Sequence, residues 1–355
     1  MDIKILIQNF INHAPEFYLD LKLNDLDNKH TVIVKDAYDF LKDEANYNKN
    51  NFRDWSAQSD QGAPMQISHF NISKHGFLHT FLKFLYVKVF YRTTERHLLT
   101  SFMDDISIIK SIGGENILKE NPVHSSPGSS SAYFIEGTSV NFRWLRYLYS
   151  TQQIINHNLL QKTSVWVDVG SYYGGLQSIA HKYFPKTTTV MVDFHHQLCR
   201  SYIFLSKIYP QAEHILPDQV SNYKSLKSMP KGSFVYLPVS DYYKIANQKV
   251  DLVTNLFSLG EMRREFYSVY MDSILFKESK NVYLINRVMS SPFFEKTYDS
   301  DISIIDYIPN KEKIDYFDIF PMAHYNLVKR ELYGRIGMRN TSSSYFEMIV
   351  SNQKK

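Results

Sequence analysis

The chain contains little cysteine and no large excess of charge of one sign. Cys199 is its only cysteine among 355 residues, so an internal disulfide and a zinc site built from several thiolates are both excluded. A single thiol is compatible with a reducing compartment, and we expect a cytoplasmic protein. Forty basic residues against 36 acidic ones give a net charge of +4. This is weak for a protein that binds a phosphate backbone, so no nucleic-acid partner is expected.

Long apolar runs are also missing. The most apolar window, 77–96, contains Lys83 and Lys88 and is too short and too charged to span a bilayer. It predicts a buried amphipathic helix, with a helix lying on a membrane surface as the alternative. The N-terminus has no basic region followed by a long apolar core, so neither a signal peptide nor export is expected.

The composition is that of a folded protein with a substantial core. Hydrophobic residues make up 44% and aromatic residues 15% of the chain, unlike the composition of disordered proteins. Region 1–138 is predicted to be mostly helical, because apolar residues recur there at helical spacing. The predicted helices up to the first strand lie near 29–45, 78–91, 93–112 and 140–158. A loop rich in Ser, Pro and Gly is predicted over 121–139, either as a plain connector or as a lid over a site.

Short apolar runs alternate with helix-length segments from Ser164 onward. The predicted strands are Ser164–Val169, Thr188–Asp193, Ser233–Val239, Val250–Phe257, Asn281–Val288 and Ser344–Asn352. The predicted helices are Gly175–Tyr183, His196–Ser206 and Glu261–Phe276. Nearly continuous apolar strands separated by helices are typical of a parallel sheet covered on both faces. We therefore expect a doubly wound α/β domain over residues 139–355.

Two carboxylates stand at the ends of the first two strands of this domain. Asp168 opens the loop "DVGSYYGG", and Asp193 ends the next strand, 23 positions after Gly170. In a doubly wound sheet the ligand lies beyond the carboxyl ends of the strands, where glycines such as Gly170 and Gly174 let the backbone turn tightly. A carboxylate at position 193 can accept hydrogen bonds from both hydroxyls of a ribose. The pattern predicts a nucleoside lying across the two strand ends.

The spacing of the glycines indicates which nucleoside this is. The run G-S-Y-Y-G-G differs from the G-x-G-x-x-G of dinucleotide folds, and an acid at its start would repel a pyrophosphate. The carboxylate of Asp168 can accept from an ammonium group, such as that of the methionine part of S-adenosylmethionine. An NAD(P)-dependent Rossmann oxidoreductase is the alternative.

These residues resemble the class I S-adenosylmethionine-dependent methyltransferases, whose Rossmann-like sheet begins with an acid, any residue, and a glycine. The segments Val140–Ser150, Val250–Leu275 and Asn281–Arg287 resemble the bacterial sugar O-methyltransferase family more narrowly. The resemblance implies a methyltransferase domain over 139–355, capped by region 1–138 at the acceptor site. It also implies a carbohydrate or sugar-nucleotide acceptor and a role in polysaccharide biosynthesis. The implied cofactor-binding residues are Asp168, Gly170, Ser171, Tyr172, Gly174, Asp193, Ser240, Asp241 and Asn255.

Methyl transfer to a hydroxyl benefits from a general base near the acceptor. Glu261, His195 and His196 are the catalytic candidates, because each follows a predicted strand at the presumed cofactor end of the sheet. Contacts to the acceptor are assigned to Ser258, Arg263 and Tyr173. Nothing in the sequence requires a metal ion. Two alternatives are a methyltransferase-like binding protein without turnover and an RNA methyltransferase, and the oligomeric state, including a homodimer, is left open.

Overall fold

The computed structural model describes residues 2–15, 102–123, 133–290, 302–308, 313–322 and 345–352. The predicted helices near 29–45 and 78–91, and the apolar window 77–96, lie outside the described residues. The described α-helices are α1 (Ile3–Asn12), α2 (102–111), α3 (Glu115–Glu120), α4 (Phe142–Asn156), α5 (Gly175–Tyr183), α6 (His195–Ile208), α7 (Arg264–Met271), α8 (Ile274–Glu278) and α9 (Ile304–Tyr307). Within this part of the chain, no helix is long and apolar enough to cross a membrane.

The strands form one large sheet and two small hairpin-like pairs. They are β1 (Tyr133–Ile135), β2 (Thr138–Val140), β3 (Val165–Val169), β4 (Thr188–Asp193), β5 (His214–Ile215), β6 (Phe234–Pro238), β7 (Leu252–Leu256), β8 (Asn281–Arg287), β9 (Met289–Ser290), β10 (Ile302–Ser303), β11 (Ile314–Ile319) and β12 (Tyr345–Ser351). All six predicted strands are present, within two residues of their predicted bounds.

The large sheet has the order β11-β12-β8-β7-β3-β4-β6-β5. Its strands are parallel from β5 to β8, and β12 is antiparallel to both of its neighbours. The chain runs outward from β3 through β4 to β6 and then returns to β7 on the other side of β3. The winding therefore reverses between β3 and β7, which confirms the predicted doubly wound fold.

Each face of this sheet is covered by its own set of helices. Side chains such as Trp166 and Tyr236 pack on one face against α1, α4, α5 and α6. Their neighbours along the strands, such as Val167 and Val235, pack on the other face against α7 and α8. Because alternate residues of a strand point to opposite faces, only strands that are apolar throughout can be buried on both sides.

The structure differs from the sequence-based prediction in several segments. The predicted helix Glu261–Phe276 is divided into a short 3₁₀ turn, α7 and α8. Ser273 makes the break, since its Oγ donates to Tyr270 O (2.6 Å) and accepts from Phe276 N (3.3 Å) as the cap of α8. The end of the predicted loop 121–139 forms the β1–β2 hairpin, whose turn residues Glu136 and Gly137 have φ of 49° and 80°. Strand β11, which was not predicted, pairs with β12 at the sheet edge.

Helix α4 is fixed at its start and at its middle. At its start, Asn141 Oδ1 accepts from Trp144 N (2.7 Å) as an N-cap. At its middle, Tyr149 OH donates to Glu347 Oε2 of β12 (2.6 Å), and Tyr283 OH of β8 donates to the other oxygen (2.5 Å). The carboxyl of Glu347 is fully buried, and burial raises its pKa. These contacts hold α4 along the sheet, with its first turns at the carboxyl ends of the strands.

Candidate functional site

The loop after β3 takes a backbone path that suits glycine. Gly170, Tyr172 and Gly174 have φ of 81°, 55° and 86°, in the left-handed region that side chains disfavour. A Cβ on Gly170 would lie 2.2 Å from Ser258 Oγ, so no side chain fits there. Tyr172 stands where the second glycine of G-x-G is common and keeps the positive φ of a glycine. The unusual spacing seen in the sequence is thus accommodated by a strained tyrosine.

The start of α5 is packed against aromatic side chains. A Cβ on Gly175 would lie 2.5 Å from the Tyr147 ring and 2.7 Å from Tyr173 OH. Glycine therefore allows the helix to approach α4 closely. A dinucleotide fold uses this helix start to bind a pyrophosphate, and the close aromatic packing here disfavours that use.

Asp193 lies where the sequence predicted a ribose-binding acid. Its Oδ2 accepts from Tyr172 N (2.8 Å) and its Oδ1 from Phe194 N (2.8 Å), and 9% of the residue is exposed. The carboxylate thus holds the glycine loop beside the end of β4. A carboxylate oxygen can accept more than one hydrogen bond, which is the property that the ribose assignment uses.

Two buried hydroxyls lie in the loops after β3 and β6, the two strands that flank β4. Ser171 lies in the glycine loop, and Ser240 lies two residues after Pro238, the residue paired with Asp193 across β4 and β6. The Oγ atoms of both serines are buried and have no hydrogen-bond partner among the described residues. Leaving a buried hydroxyl unpaired costs about 1–3 kcal/mol. Both positions are therefore suited to a polar ligand. Asp241 lies beside them and pairs with Lys244 (2.9 Å).

Asp168 is buried in the sheet, with 3% of its surface exposed. Its carboxylate accepts hydrogen bonds from Gln177 Nε2 of α5 and Thr254 Oγ1 of β7. Burial raises the pKa of Asp168 to about 7, although both hydrogen bonds act in the opposite direction. Through these hydrogen bonds, the residue joins β3, β7 and α5. Its carboxylate lies on β3, directly before the loop.

Asn255, predicted to bind the cofactor, is fully engaged by the protein. Its Nδ2 donates to Val169 O (2.7 Å) and Ser258 Oγ (2.6 Å), and its Oδ1 accepts from Leu259 N (3.1 Å) and Asn286 Nδ2 (3.0 Å). Both amide hydrogens are used. The structure therefore places Asn255 as a link between the carboxyl ends of β3, β7 and β8, and Ser258 beside it.

Two of the residues predicted to contact the acceptor, Tyr173 and Arg263, have other contacts in the structure. Tyr173 is fully buried, with its ring 5.0 Å from that of Phe204 and 5.2 Å from that of Tyr172. Its position in the core does not allow contact with an acceptor. Arg263 forms an ion pair with Glu265 (3.3 Å) at the start of α7.

The three catalytic candidates lie on opposite sides of β3. His195 and His196 are the first residues of α6, directly beyond β4, and are 2% and 3% exposed. Glu261 lies beyond β7, with 38% of its side chain exposed, and its Oε1 accepts from Arg287 Nη2 (3.1 Å). Burial raises the pKa of Glu261, while the charges of Arg287 and other arginines act against that rise.

Sequence reasoning missed a group of arginines and a strained phenylalanine. The Arg143 and Arg200 guanidinium groups lie 4.4 Å and 4.6 Å from the centre of the Tyr172 ring. That of Arg146 lies 4.7 Å from the centre of the Phe257 ring, and Phe257 has φ of 79°. The one available signal was "RWLR" in α4, because residues three apart share a helix face. No cluster of three metal-ligating side chains occurs among the residues described here.

A scan against protein-family models and a search of the curated proteins gave no match. Solved methyltransferase structures do match. Geranyl diphosphate methyltransferase in complex with SAM is 12% identical, with 59% of this chain and 87% of that one covered and a TM-score of 0.38. An O-methyltransferase family 2 protein from Planctomyces limnophilus, in complex with apigenin, is 11% identical over 59% of this chain and 62% of its own, with a TM-score of 0.32.

The small RNA methyltransferase HEN1 is 13% identical over 59% of this chain and 25% of its own, with a TM-score of 0.33.

Proposed function

We propose that this chain is an S-adenosylmethionine-dependent O-methyltransferase. One observation carries the proposal: Asp193 ends β4, and the loops after its two neighbouring strands, β3 and β6, each hold a buried serine hydroxyl without a hydrogen-bond partner among the described residues, those of Ser171 and Ser240. A carboxylate accepts from the two hydroxyls of a ribose, and a serine hydroxyl can donate to or accept from the polar edge of an adenine. These residues fit the nucleoside part of the cofactor, with Asp241 beside its adenine.

The remainder of the loop favours a cationic cofactor rather than a dinucleotide. Asp168 contributes a buried acid beneath the loop, and the start of α5 is packed against Tyr147. Negative charge there favours a sulfonium or ammonium group and opposes a pyrophosphate. The antiparallel strand β12 also departs from the all-parallel order of dinucleotide folds.

When bound, the cofactor supplies an electrophilic methyl group on sulfur. The chain's part is to align an acceptor oxygen with it, which can lower a barrier by about 7–11 kcal/mol. We assign Glu261 as the general base, since it lies on the β7 side of the loop, half-buried and with a raised pKa. A positioned base adds about 10²–10⁴ in rate. His195 and His196 lie on the β4 side, where the ribose would be held.

The acceptor is proposed to be a hydroxyl of a sugar, as the sequence resemblance implies, in a free, nucleotide-linked or glycan-linked carbohydrate. Glu261 can take the proton of such a hydroxyl, and Ser258 and Arg287 at the neighbouring strand ends can hydrogen-bond to sugar oxygens. Region 1–138 is proposed to cover this acceptor side.

Titration calorimetry tests the cofactor assignment directly. S-adenosylhomocysteine should bind the full chain and NADH should not, and Ser171→Ala and Ser240→Ala should each weaken binding about 5- to 30-fold. The surface variant Ser221→Ala serves as the control. Tighter binding of NADH would favour the oxidoreductase alternative.

Transfer of labelled methyl from S-adenosylmethionine to a panel of sugars and sugar nucleotides tests the reaction. Glu261→Gln should keep cofactor affinity and lose turnover about 100-fold or more. If wild-type protein binds cofactor but transfers nothing to any carbohydrate or to RNA, the chain is a binding protein.

A further inference from the structure

A groove lies on the face of the sheet that α7 and α8 cover. Its volume is about 880 Å³, and Val282 and Leu284 of β8 and Val350 of β12 form its apolar side. Val282 and Val350 are paired across the two strands, and side chains of α7, α8 and α9 complete the lining. Because Val282 is the second residue of β8, the groove extends towards the amino ends of the parallel strands, away from the carboxyl edge where doubly wound sheets bind their cofactors.

Two tyrosines line this groove with hydroxyls that the protein leaves unpaired. Tyr267 of α7 and Tyr307 of α9 are 4% and 1% exposed, and their rings meet edge to face at 5.2 Å. Neither hydroxyl has a hydrogen-bond partner among the residues that the structure describes. Burial raises the pKa of both phenols, so both stay protonated and able to donate. Phenylalanine would avoid the cost of an unpaired buried hydroxyl, so these tyrosines suit a ligand that supplies the missing hydrogen bonds.

The charged side chains along the groove are balanced in sign. Four basic residues stand against three acidic ones in the described part of its lining. Three ion pairs combine six of these residues: Arg264 with Asp306 (2.8 Å), Lys277 with Asp272 (2.9 Å) and Lys249 with Glu278. Each pair presents hydrogen-bond donors on one partner and acceptors on the other. The groove therefore suits a ligand that is neutral and that both donates and accepts hydrogen bonds.

We propose that this groove binds a neutral oligosaccharide, at a site separate from the proposed transfer site. A sugar ring packs its C–H face on aliphatic and aromatic side chains, here Val282, Val350 and Tyr267, while its hydroxyls donate and accept at the rim. The volume lies near the upper end of the range for ligand sites, about 300–1,000 Å³, and accommodates more than one sugar ring. The assignment does not depend on the transferase function, because none of the residues that line the groove belongs to the proposed cofactor or acceptor site.

Ligand-observed NMR and thermal unfolding of the full chain test the assignment. The probes are three neutral trisaccharides, maltotriose, cellotriose and mannotriose, with trialanine and inorganic phosphate as comparison ligands. At least one trisaccharide should bind at millimolar concentration and raise the Tm, because a ligand of the folded state stabilises it, whereas the comparison ligands should do neither. Binding of no trisaccharide, or of a comparison ligand alone, would overturn the proposal.

Two variants remove the hydroxyls and keep the rings. Tyr267→Phe and Tyr307→Phe should each weaken binding of the trisaccharide about fivefold. Both should also raise the Tm of the ligand-free protein by about 1–3 °C, since an unpaired buried hydroxyl is lost. Tyr223→Phe, which removes an exposed hydroxyl 3.4 Å from Glu213 Oε1, is the control and should leave the affinity unchanged. An affinity that neither buried substitution reduces, or a lower Tm in both variants, would contradict the assignment.

The transfer site is separated from the groove by two further measurements. Trisaccharide binding should be unchanged in Glu261→Gln and in wild-type protein saturated with S-adenosylhomocysteine. Loss of binding in Glu261→Gln would place the saccharide at the transfer site and refute the groove assignment. If a trisaccharide binds through Tyr267 and the cofactor does not bind, the groove assignment stands and the transferase function is wrong.

Discussion

The β4 side and the β7 side of the carboxyl edge are built differently. On the β4 side, residues 170–193 supply the loop, Ser171 and Asp193. The hydroxyl of Ser240 adds a further polar group to this acidic side. On the β7 side, arginines and aromatic rings come from α4, from Phe257 and from Arg287, which are far apart in the sequence. The proposed nucleoside site is thus built mostly from one stretch of the sequence, whereas the proposed acceptor side is built from residues that only the fold brings together.

Removing the acid of the β4 side should have the largest effect. Asp193→Ala removes the acceptor for both ribose hydroxyls and for Tyr172 N, and hydrogen bonds to a charged group contribute about 1.5–3 kcal/mol each. We expect affinity for S-adenosylhomocysteine to fall about 100-fold or more by calorimetry. Asp272→Ala on the surface is the control, and an unchanged affinity in Asp193→Ala would refute the ribose assignment.

The second prediction concerns Gly170, where the loop after β3 packs against Ser258, which follows β7. Gly170→Ala places a Cβ 2.2 Å from Ser258 Oγ at a φ of 81°, so urea denaturation should show a loss of about 2–3 kcal/mol in the free energy of unfolding. Gly137 has a similar φ of 80° with open space around it. Gly137→Ala should therefore lose only about 1 kcal/mol. Equal losses would mean that the contact with Ser258 is unimportant.

Asp168 should make cofactor binding depend on pH. Its pKa is raised to about 7, so the carboxylate is about one-tenth ionised at pH 6 and nine-tenths at pH 8. A cationic ligand prefers the ionised form, and its affinity should rise up to about tenfold over this range. Binding of S-adenosylmethionine, whose sulfonium is positively charged throughout this range, should lack this rise in Asp168→Asn when it is measured by calorimetry. The same slope in both proteins would assign the titration to another group.

The smallest effect is expected at Glu347, which anchors the arginine-bearing helix of the β7 side. Its folded-state pKa is raised by burial, so its favourable contribution is present below the unfolded value of about 4.3 and is lost as pH rises through the folded value. Glu347→Gln cannot ionise. In urea denaturation, this variant should gain stability relative to wild type between pH 5 and pH 8.5, whereas the surface control Glu265→Gln should not.

The sequence predicts the elements whose structure depends on residues close together along the chain. Six apolar runs identified six of the eight strands of the sheet, and the position of Asp193 at the end of the strand after the glycine loop followed from the same runs. Helix Glu261–Phe276 was predicted as one element because its apolar spacing hides the break that Ser273 makes through its hydrogen bonds. Strand β11 was missed because its pairing with β12 is a tertiary contact.

The site could be predicted only in part for the same reason. Asn255 stands at a strand end like a binding residue, but three-dimensional packing uses all of its amide hydrogen bonds. Tyr173 adjoins Tyr172 in the sequence, yet only the backbone turn decides which ring enters the core. The pairing of Arg146 with Phe257 joins positions over a hundred residues apart, and no spacing rule reaches that far.

The guanidinium groups of Arg143 of α4 and Arg200 of α6 both stack on the ring of Tyr172. A shift of the loop would give up both stacking contacts, each contributing about 0.5–1 kcal/mol or more. Side chains from two different helices thus hold the loop in place. If the proposed cofactor binds to this loop, the fixed shape lowers the entropic penalty of association.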